Sequence, residues 1–432
     1  MYHFIGIKGS GMSALAQIMK ELGYEVQGSD VEKHFFTEEG LIEKNIPIFP
    51  YQKENIQEKM KIIRGESIRE DHPEVIEAEA KNLKIYSYHE MVGKLTERFK
   101  TVCVAGCHGK TTTTAMLSHI LKNTVGANYL IGDGTGFAAL ENTYFVLESC
   151  EYRRHFLSYK PYYAIITNID LDHVDYFKNM DDVIDAYREY ANKAEKLILA
   201  CGDDPYTHSL EVTKPIFFYG LGEDNDIRAI NVEYKTTGIS FEVEVEGNYY
   251  GCFDLPIYGK HQLLDALSCI AVCFYERLEA KEVQKIFKTF KGARRRFTET
   301  IVGDSIIIDD YAHHPNEVSA TIHAVKQKYE GKKVITIFQP HTFSRTQEFM
   351  EDFARVFGKV DEAYFLEIHP AREKQEDYPD IKSESLVEKL SNGHLITMEE
   401  SEVLCQHKGA VFVFMSPNDL SVFENKLIER LK

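Results

Sequence analysis

The chain has 432 residues, 44% of them hydrophobic and 27% charged, with 50 Lys and Arg against 68 Asp and Glu for a net charge of −18. That length suits roughly two to four domains, and the acidic balance argues against a nucleic-acid partner outside one basic run, Lys291-Gly292-Ala293-Arg294-Arg295-Arg296. No apolar run nears the ~20 residues of a membrane span, the opening Met1-Tyr2-His3-Phe4-Ile5 reads as strand without a basic leader, and eight scattered cysteines without a Cys-x-x-Cys point to a reducing cytoplasm rather than a zinc or disulfide scaffold.

The first segment opens on a strand over 2–7 and the loop Gly6-Ile7-Lys8-Gly9-Ser10-Gly11. A helix follows over about 12–22, stopped by Gly23, and a second strand ends at Gly28-Ser29-Asp30. A βαβ unit with an acidic residue roughly twenty positions past the glycines is the pattern of dinucleotide folds. Lys8 stands where the middle glycine belongs, which weakens an NAD reading and offers a cation for a phosphate instead. The bland alternative is a structural turn.

The second segment carries the most informative run, Gly106-Cys107-His108-Gly109-Lys110-Thr111-Thr112, between a strand at 101–105 and a helix at 113–122. Glycines let backbone N–H groups turn toward an anion, and the helix N-terminus adds a favourable dipole. Lys110 is placed to reach nucleotide phosphates and Thr111 to ligate Mg²⁺. Cys107, among inward-facing amides, is expected to be an activated thiolate. Strands at 144–147, 164–167 and 197–201 follow, with Glu148 and Glu151, then 168–173, then Gly202-Asp203-Asp204 just after them. Ligand groups of open α/β sheets gather at such strand ends. Residues 239–246 alternate strictly, turn at Gly247-Asn248 and resume at Tyr249, an antiparallel hairpin whose glutamates form a solvated face; a helix over 263–275 closes the segment.

The third segment alternates again, with strands expected at 305–308, 333–338, 363–368 and 410–414 and helices at 316–329, 346–357, 384–390 and 421–431. The fold class is therefore α/β in three domains. A Rossmann-like N-terminal domain (1–98) precedes a central P-loop ATPase-type domain (99–293), a mostly parallel sheet with the hairpin appended. A Rossmann-like C-terminal domain (294–432) follows.

The motifs run in one order: Gly9-Ser10-Gly11, the Gly-x-x-Gly-Lys-Thr loop, Glu148-x-x-Glu151, Thr167-Asn168-Ile169-x-x-Asp172-His173, Gly259-x-His261, Arg295-Arg296-Phe297, Asp309-Asp310-Tyr311-Ala312-His313-His314-Pro315 and Gln339-Pro340-His341. This series resembles the Mur ligase family over essentially the whole chain. The resemblance implies a cytoplasmic step of peptidoglycan synthesis in which ATP and Mg²⁺ drive joining of L-alanine to UDP-N-acetylmuramate through an acyl phosphate, by a monomer or homodimer with no nucleic-acid or membrane partner. It implies Lys110, His173, Glu151 and Arg296 as catalytic groups, and Thr111, Glu151 and His173 as the metal set. ATP falls to Gly106 through Thr112 with His261, Gln262, Asp265, Arg296 and Asp310. UDP-substrate contacts fall to Gly9, Ser10, Gly11, Asp30 and His108, and the amino acid to Tyr311, His313, His341 and Arg345. An Arg-rich joint at 294–296 would complete the site on closure.

Some positions depart from the family pattern. Cys107 replaces a threonine, Gln262 and Asp265 replace asparagines that contact adenine, Thr342 replaces an arginine, and Ser416-Pro417-Asn418-Asp419 replaces a Gly-Ala-Gly-Asp turn. Competing readings are a Mur-type ligase for another amino acid or a recycled peptide, a non-catalytic UDP-sugar binder, and an NAD oxidoreductase, the last resting on the first loop alone.

Overall fold

The computed structural model describes residues 1–173 and 176–432. Three sheets organise the chain, each built from strand–helix alternation. The first has five parallel strands in the spatial order Ile48–Pro50, Val26–Asp30, Tyr2–Ile5, Lys61–Arg64, Lys84–Ser87. Parallel strands need crossover connections, and the helices Ser10–Glu21, Glu38–Glu43 and Pro73–Ala80 lie in them, while Tyr88–Thr96 follows the last strand of this sheet. Two of the starts are chemically marked. Pro73 stands in the first helical turn, and Ser87 with Glu90 forms a reciprocal capping box.

The second sheet has ten strands, in the order Asn248–Leu255, Gly238–Val245, Ile227–Lys235, Ile216–Gly220, Leu197–Cys201, Tyr163–Ile166, Lys100–Ala105, Tyr144–Glu148, Ala127–Leu130, Gly136–Phe137. Its centre is parallel, and at one edge the short strand Gly136–Phe137 pairs antiparallel with Ala127–Leu130. Lys100–Ala105 lies in the middle and is buried beyond its first residue. That explains its near-continuous apolar sequence. The first helix docks on this sheet's edge: Gln17 donates to Gly134 O at 2.8 Å, and Glu21 accepts from Ala138 N at 2.8 Å.

The third sheet has the order Thr298–Val302, Ser305–Asp310, Val411–Met415, Val334–Phe338, Glu362–Phe365, Gly393–Leu395. Its first pair is antiparallel around a Gly303-Asp304 turn and the rest are parallel. That edge strand was not among the expected elements, although the two-residue glycine turn marks a hairpin. Two other details differ. Glu148, Asp309 and Asp310 are the last residues of their strands rather than the first beyond them. The helix expected over 346–357 starts earlier and breaks in two, Phe343–Glu348 and Met350–Phe357, at Phe349, whose ring meets His314 edge-on at 4.6 Å.

The described residues form two compact units. One comprises Met1–Ile230, Glu242–Cys252 and Leu264–Phe290, and the other Asn231–Phe241, Phe253–Leu263 and Lys291–Lys432. Among the described residues no helix is long and apolar enough to cross a membrane.

Candidate active site

The glycine loop leaves the central strand at Gly106 (φ +142°) and enters the helix Lys110–Lys122 at Gly109 (φ +81°). Both glycines are also crowded: a Cβ on Gly106 would stand 1.9 Å from Thr167 Oγ1, and one on Gly109 2.5 Å from Asp265 Oδ1. No L side chain meets the backbone and the space requirement together. Asn168 grips the loop at His108, accepting its N–H at 2.9 Å and donating to its carbonyl at 2.9 Å. The Thr167 hydroxyl donates to the same carbonyl at 2.5 Å. Thr167 and Asn168 were visible as a motif but carried no expected role; here they preorganise the loop.

Lys110 folds back over that loop. Its ammonium donates to the carbonyls of Gly106 and Cys107 and to Glu151 Oε2 at 2.9 Å. Glu151 is 1% exposed. Burial works against the Lys110 charge, but Glu151 outweighs it and holds the pKa above the ordinary lysine value. The side chain is thus a permanent cation at the mouth of a helix N-terminus. His173, in a left-handed conformation (φ +53°), brings Nε2 to 3.6 Å from Glu151 Oε1.

Thr111 turns the other way. Its hydroxyl donates to Glu148 Oε2 at 2.9 Å, and the same oxygen accepts from Gly132 N at 2.8 Å. The two glutamates are therefore sorted, Glu151 to Lys110 and His173, Glu148 to Thr111. Glu148 was absent from the expected metal set of Thr111, Glu151 and His173, although its place in Glu148-x-x-Glu151 was a signal. A hydroxyl and two carboxylates are hard oxygen donors that fit Mg²⁺, while imidazole suits it less well.

Cys107 does not behave as expected. Its thiol donates to Asp170 O at 3.0 Å and its sulfur accepts from Asp170 N at 3.1 Å, within a buried pocket. Burial first, then the charge of Glu151, pushes its pKa well above the ordinary thiol range, against an opposing pull from Lys110. The dipole argument loses because the sulfur is desolvated and faces a carboxylate. Iodoacetamide should therefore label exposed Cys252 first and leave native Cys107 unmodified; peptide mass spectrometry finding Cys107 the faster would contradict this.

At the first loop, Lys8 is not available to a phosphate. Its ammonium is buried against Glu38 Oε1 at 2.7 Å and the carbonyls of Val31 at 2.7 Å and Lys33 at 2.9 Å. Asp30 accepts from the backbone N–H of Lys8 at 2.7 Å and of Val31 at 2.8 Å, so it fixes the turn that presents Gly9 and Ser10 at the helix start. Gly11 packs on Tyr88, whose ring would lie 2.7 Å from a Cβ there. Burial and then the charge of Glu148 raise the Tyr88 pKa. His108 brings Nε2 to 3.5 Å from Asp170 Oδ2.

The second unit holds the remaining expected residues. Arg295, not Arg296, is the structural arginine: it donates to Asp309 Oδ2 at 3.0 Å, Ser416 O at 2.8 Å and Asn418 O at 2.7 Å. It thereby fastens the departing Ser416-Pro417-Asn418 turn. Arg296 lies over the Tyr311 ring at 4.9 Å and 3.9 Å from Glu317 Oε1. Asp310 accepts from Phe297 N and Ala312 N, and burial raises its pKa to about 6 despite Arg296. Tyr311, His313 and His341 cluster, with His313 and His341 rings 6.1 Å apart. Arg345 approaches His341 Nδ1 at 3.5 Å. His341 also stacks on His369 at 5.5 Å, and burial, then His313, Arg345, His369 and Arg372, drive its pKa to about 3. His369 and Arg372 were not foreseen, because their spacing from 341–345 has no local signature. Gln262 Oε1 accepts from Tyr258 N at 3.1 Å, and burial lowers the pKa of His261 to about 4.

Strand, glycine turn, partly buried cation and paired carboxylates are the parts from which phosphate-handling sites are built. Residues 1–100 match the Mur ligase family catalytic domain, 104–273 the Mur ligase middle domain, and 295–413 the Mur ligase glutamate ligase domain. The chain belongs to the Mur ligase family. It is similar to the UDP-N-acetylmuramate-alanine ligase MurC of Thermotoga maritima, with 25% identity over 99% of this chain and 98% of that one and a TM-score of 0.82. It shares the fold of the murein peptide ligase of Psychrobacter arcticus, with 21% identity, coverage of 100% and 98%, and a TM-score of 0.73. It shares it also with the MurF ligase of Thermotoga maritima solved in complex with ADP, with 18% identity, coverage of 97% and 98%, and a TM-score of 0.64.

Proposed function

We propose that the chain joins L-alanine to the lactyl carboxylate of UDP-N-acetylmuramate, in the cytoplasm, with ATP converted to ADP and phosphate. The observation that carries the ATP part is Lys110, a partly buried cation set among loop carbonyls beside the buried Glu151. Carboxylate attack on a γ-phosphate brings two anions together, and a fixed cation with inward backbone N–H groups stabilises the charge that develops. Mg²⁺, held in this reading by Thr111, Glu151 and His173, with Glu148 bonded to Thr111, would add charge neutralisation. Gly9, Ser10, Gly11, Asp30 and His108 are the UDP-substrate contacts of this reading. Arg296 and Asp310 serve ATP, and Tyr311, His313, His341 and Arg345 receive the amino acid. The working boundaries are 1–98, 99–293 and 294–432.

The alanine part rests on the similarity to the Thermotoga maritima MurC, which covers nearly the whole of both chains. The equally complete overlap with a murein peptide ligase favours a second reading, in which a free peptide replaces the amino acid. Phosphate release with UDP-N-acetylmuramate and ATP decides between them. Stimulation by L-alanine above other amino acids and above L-alanyl-γ-D-glutamyl-meso-diaminopimelate supports the first reading; stimulation by the tripeptide alone replaces it with the second.

Asp265 gives a further expected result. Its buried carboxylate lies against Gly109 and repels incoming phosphates, whereas asparagine keeps its shape without the charge. Asp265→Asn should lower the KM for ATP several-fold and change kcat little, because the repulsion acts in ground and transition states alike. An unchanged or raised KM would remove Asp265 from the ATP site.

A further inference from the structure

Thr342 stands between two residues assigned above to the amino acid, directly after His341 and shortly before Arg345. Its backbone lies at φ +69° and ψ +143°, a region that suits glycine and strains a β-branched residue. One short segment, 369–373, holds the peptides on both sides of it. The N–H of Thr342 donates to His369 O at 2.9 Å. On the other side, the N–H groups of Phe343 and Ser344 donate to Glu373 Oε2 at 2.6 and 3.0 Å, and the Ser344 hydroxyl donates to Glu373 Oε1. The segment is itself a turn: Glu373 N donates to Pro370 O at 2.9 Å, and Ala371 N to His369 Nδ1 at 3.2 Å. His369 N ties it back to Pro340 O at 2.9 Å. Glu373 has no part in the reading above.

A plain helix cap is the bland alternative. The helix Phe343–Glu348 already has one, since the Thr342 hydroxyl accepts from Arg345 N at 3.4 Å. A turn at this φ is also made with least strain by glycine. With threonine there the conformation has to be imposed, by His369 on the φ side and by Glu373 on the ψ side. What it controls is the approach of Arg345 to His341. The Arg345 guanidinium lies 3.5 Å from both His341 Nδ1 and His341 O. Relaxation at Thr342 would turn the helix and carry Arg345 away.

We propose that Glu373 is a positioning residue for the amine substrate: by holding the peptides that follow Thr342, it keeps His341 and Arg345 in register for the carboxylate of the incoming amino acid. This rests on the assignment of those two residues to the amino acid. A guanidinium meets a carboxylate in a planar fork that tolerates little misalignment. Loss of Glu373 should therefore weaken the amino acid and spare the phosphate loop, which belongs to the other compact unit.

The test is steady-state phosphate release by the full chain, varying L-alanine and ATP in turn with the other substrates saturating. Glu373→Ala should raise the KM for L-alanine at least about tenfold, as expected for loss of a charged hydrogen-bond acceptor, with the KM for ATP changed less than about twofold. Glu373→Gln, which keeps the shape and one acceptor oxygen, should fall between, and it serves if the alanine variant does not fold. In a Thr342→Gly background, where no strain drives relaxation, Glu373→Ala should raise the KM for L-alanine less than about threefold. An unchanged KM for L-alanine, a KM for ATP that rises in step, or an equal penalty in the glycine background would overturn the proposal. A parent stimulated by the tripeptide and not by L-alanine overturns the alanine reading alone, and the tripeptide then takes the place of L-alanine in the same comparison. Hydrogen exchange at 342–346, read by mass spectrometry without substrate, is independent of turnover. It should be at least about tenfold faster in Glu373→Ala, and unchanged exchange would overturn the proposal whatever the activity.

Discussion

Lys110→Ala should lower ATP turnover by on the order of 10²–10³-fold or more, the usual loss when a group facing developing oxyanion charge is removed. It should also destabilise the protein. Glu151 is 1% exposed and has Lys110 as its close cationic partner, at 2.9 Å; His173 at 3.6 Å is more solvated and a weaker partner. Breaking a buried pair from one side typically costs about 3–5 kcal/mol, because the remaining charge stays desolvated. Adding Glu151→Gln to Lys110→Ala removes that stranded charge, so the double variant should recover most of the thermal midpoint and none of the turnover. Phosphate release and thermal melts on the three proteins separate the two effects. Near-normal turnover in either Lys110 variant would end the assignment of this loop to ATP.

Gly109→Ala carries the second large effect. The residue sits at φ +81°, where an L side chain costs roughly 1–2 kcal/mol. The new methyl would also stand 2.5 Å from Asp265 Oδ1, inside contact distance. The loop must then shift, and the N–H groups around Lys110 lose their aim. The expected outcome is a KM for ATP raised by more than tenfold, about 1.4 kcal/mol of lost binding, with a lowered thermal midpoint. Combining Gly109→Ala with Asp265→Ala relieves the collision and leaves the backbone strain, so it should recover part of each loss. A cycle over the four proteins measures that coupling, and ATP affinity equal to the parent's in Gly109→Ala would show that the glycine is not part of the phosphate cradle.

Much of the architecture was readable because it rests on local periodicity. Apolar runs such as 101–105 and 410–414 can only be doubly covered strands, and the helices between them impose parallel order. The alternation at 239–246 marks a hairpin for the same reason. Short edge strands escaped: Ile48–Pro50, Gly136–Phe137 and Gly393–Leu395 have two or three residues, too few to establish a period. The break at Phe349 escaped as well; the ring of that residue meets His314, distant in sequence.

The phosphate loop could be read from the chain because glycine, lysine and hydroxyl at that spacing satisfy one local demand, amides and a cation converging on an anion. Which partner each of those groups takes is not a local matter. Glu148 went to Thr111 and Glu151 to Lys110, since their strand and the turn after it aim them apart. Lys8 went to Glu38, and Cys107 is a desolvated thiol whose pKa is raised rather than lowered. Arg295 and Arg296 are neighbours in an Arg-rich run, yet one fastens the 416–418 turn and the other lies over Tyr311. Spacing along the chain determines residue type, periodicity and the glycine turns. Charge state and pairing depend on burial and on groups tens to hundreds of positions away, and only the packed structure brings those together.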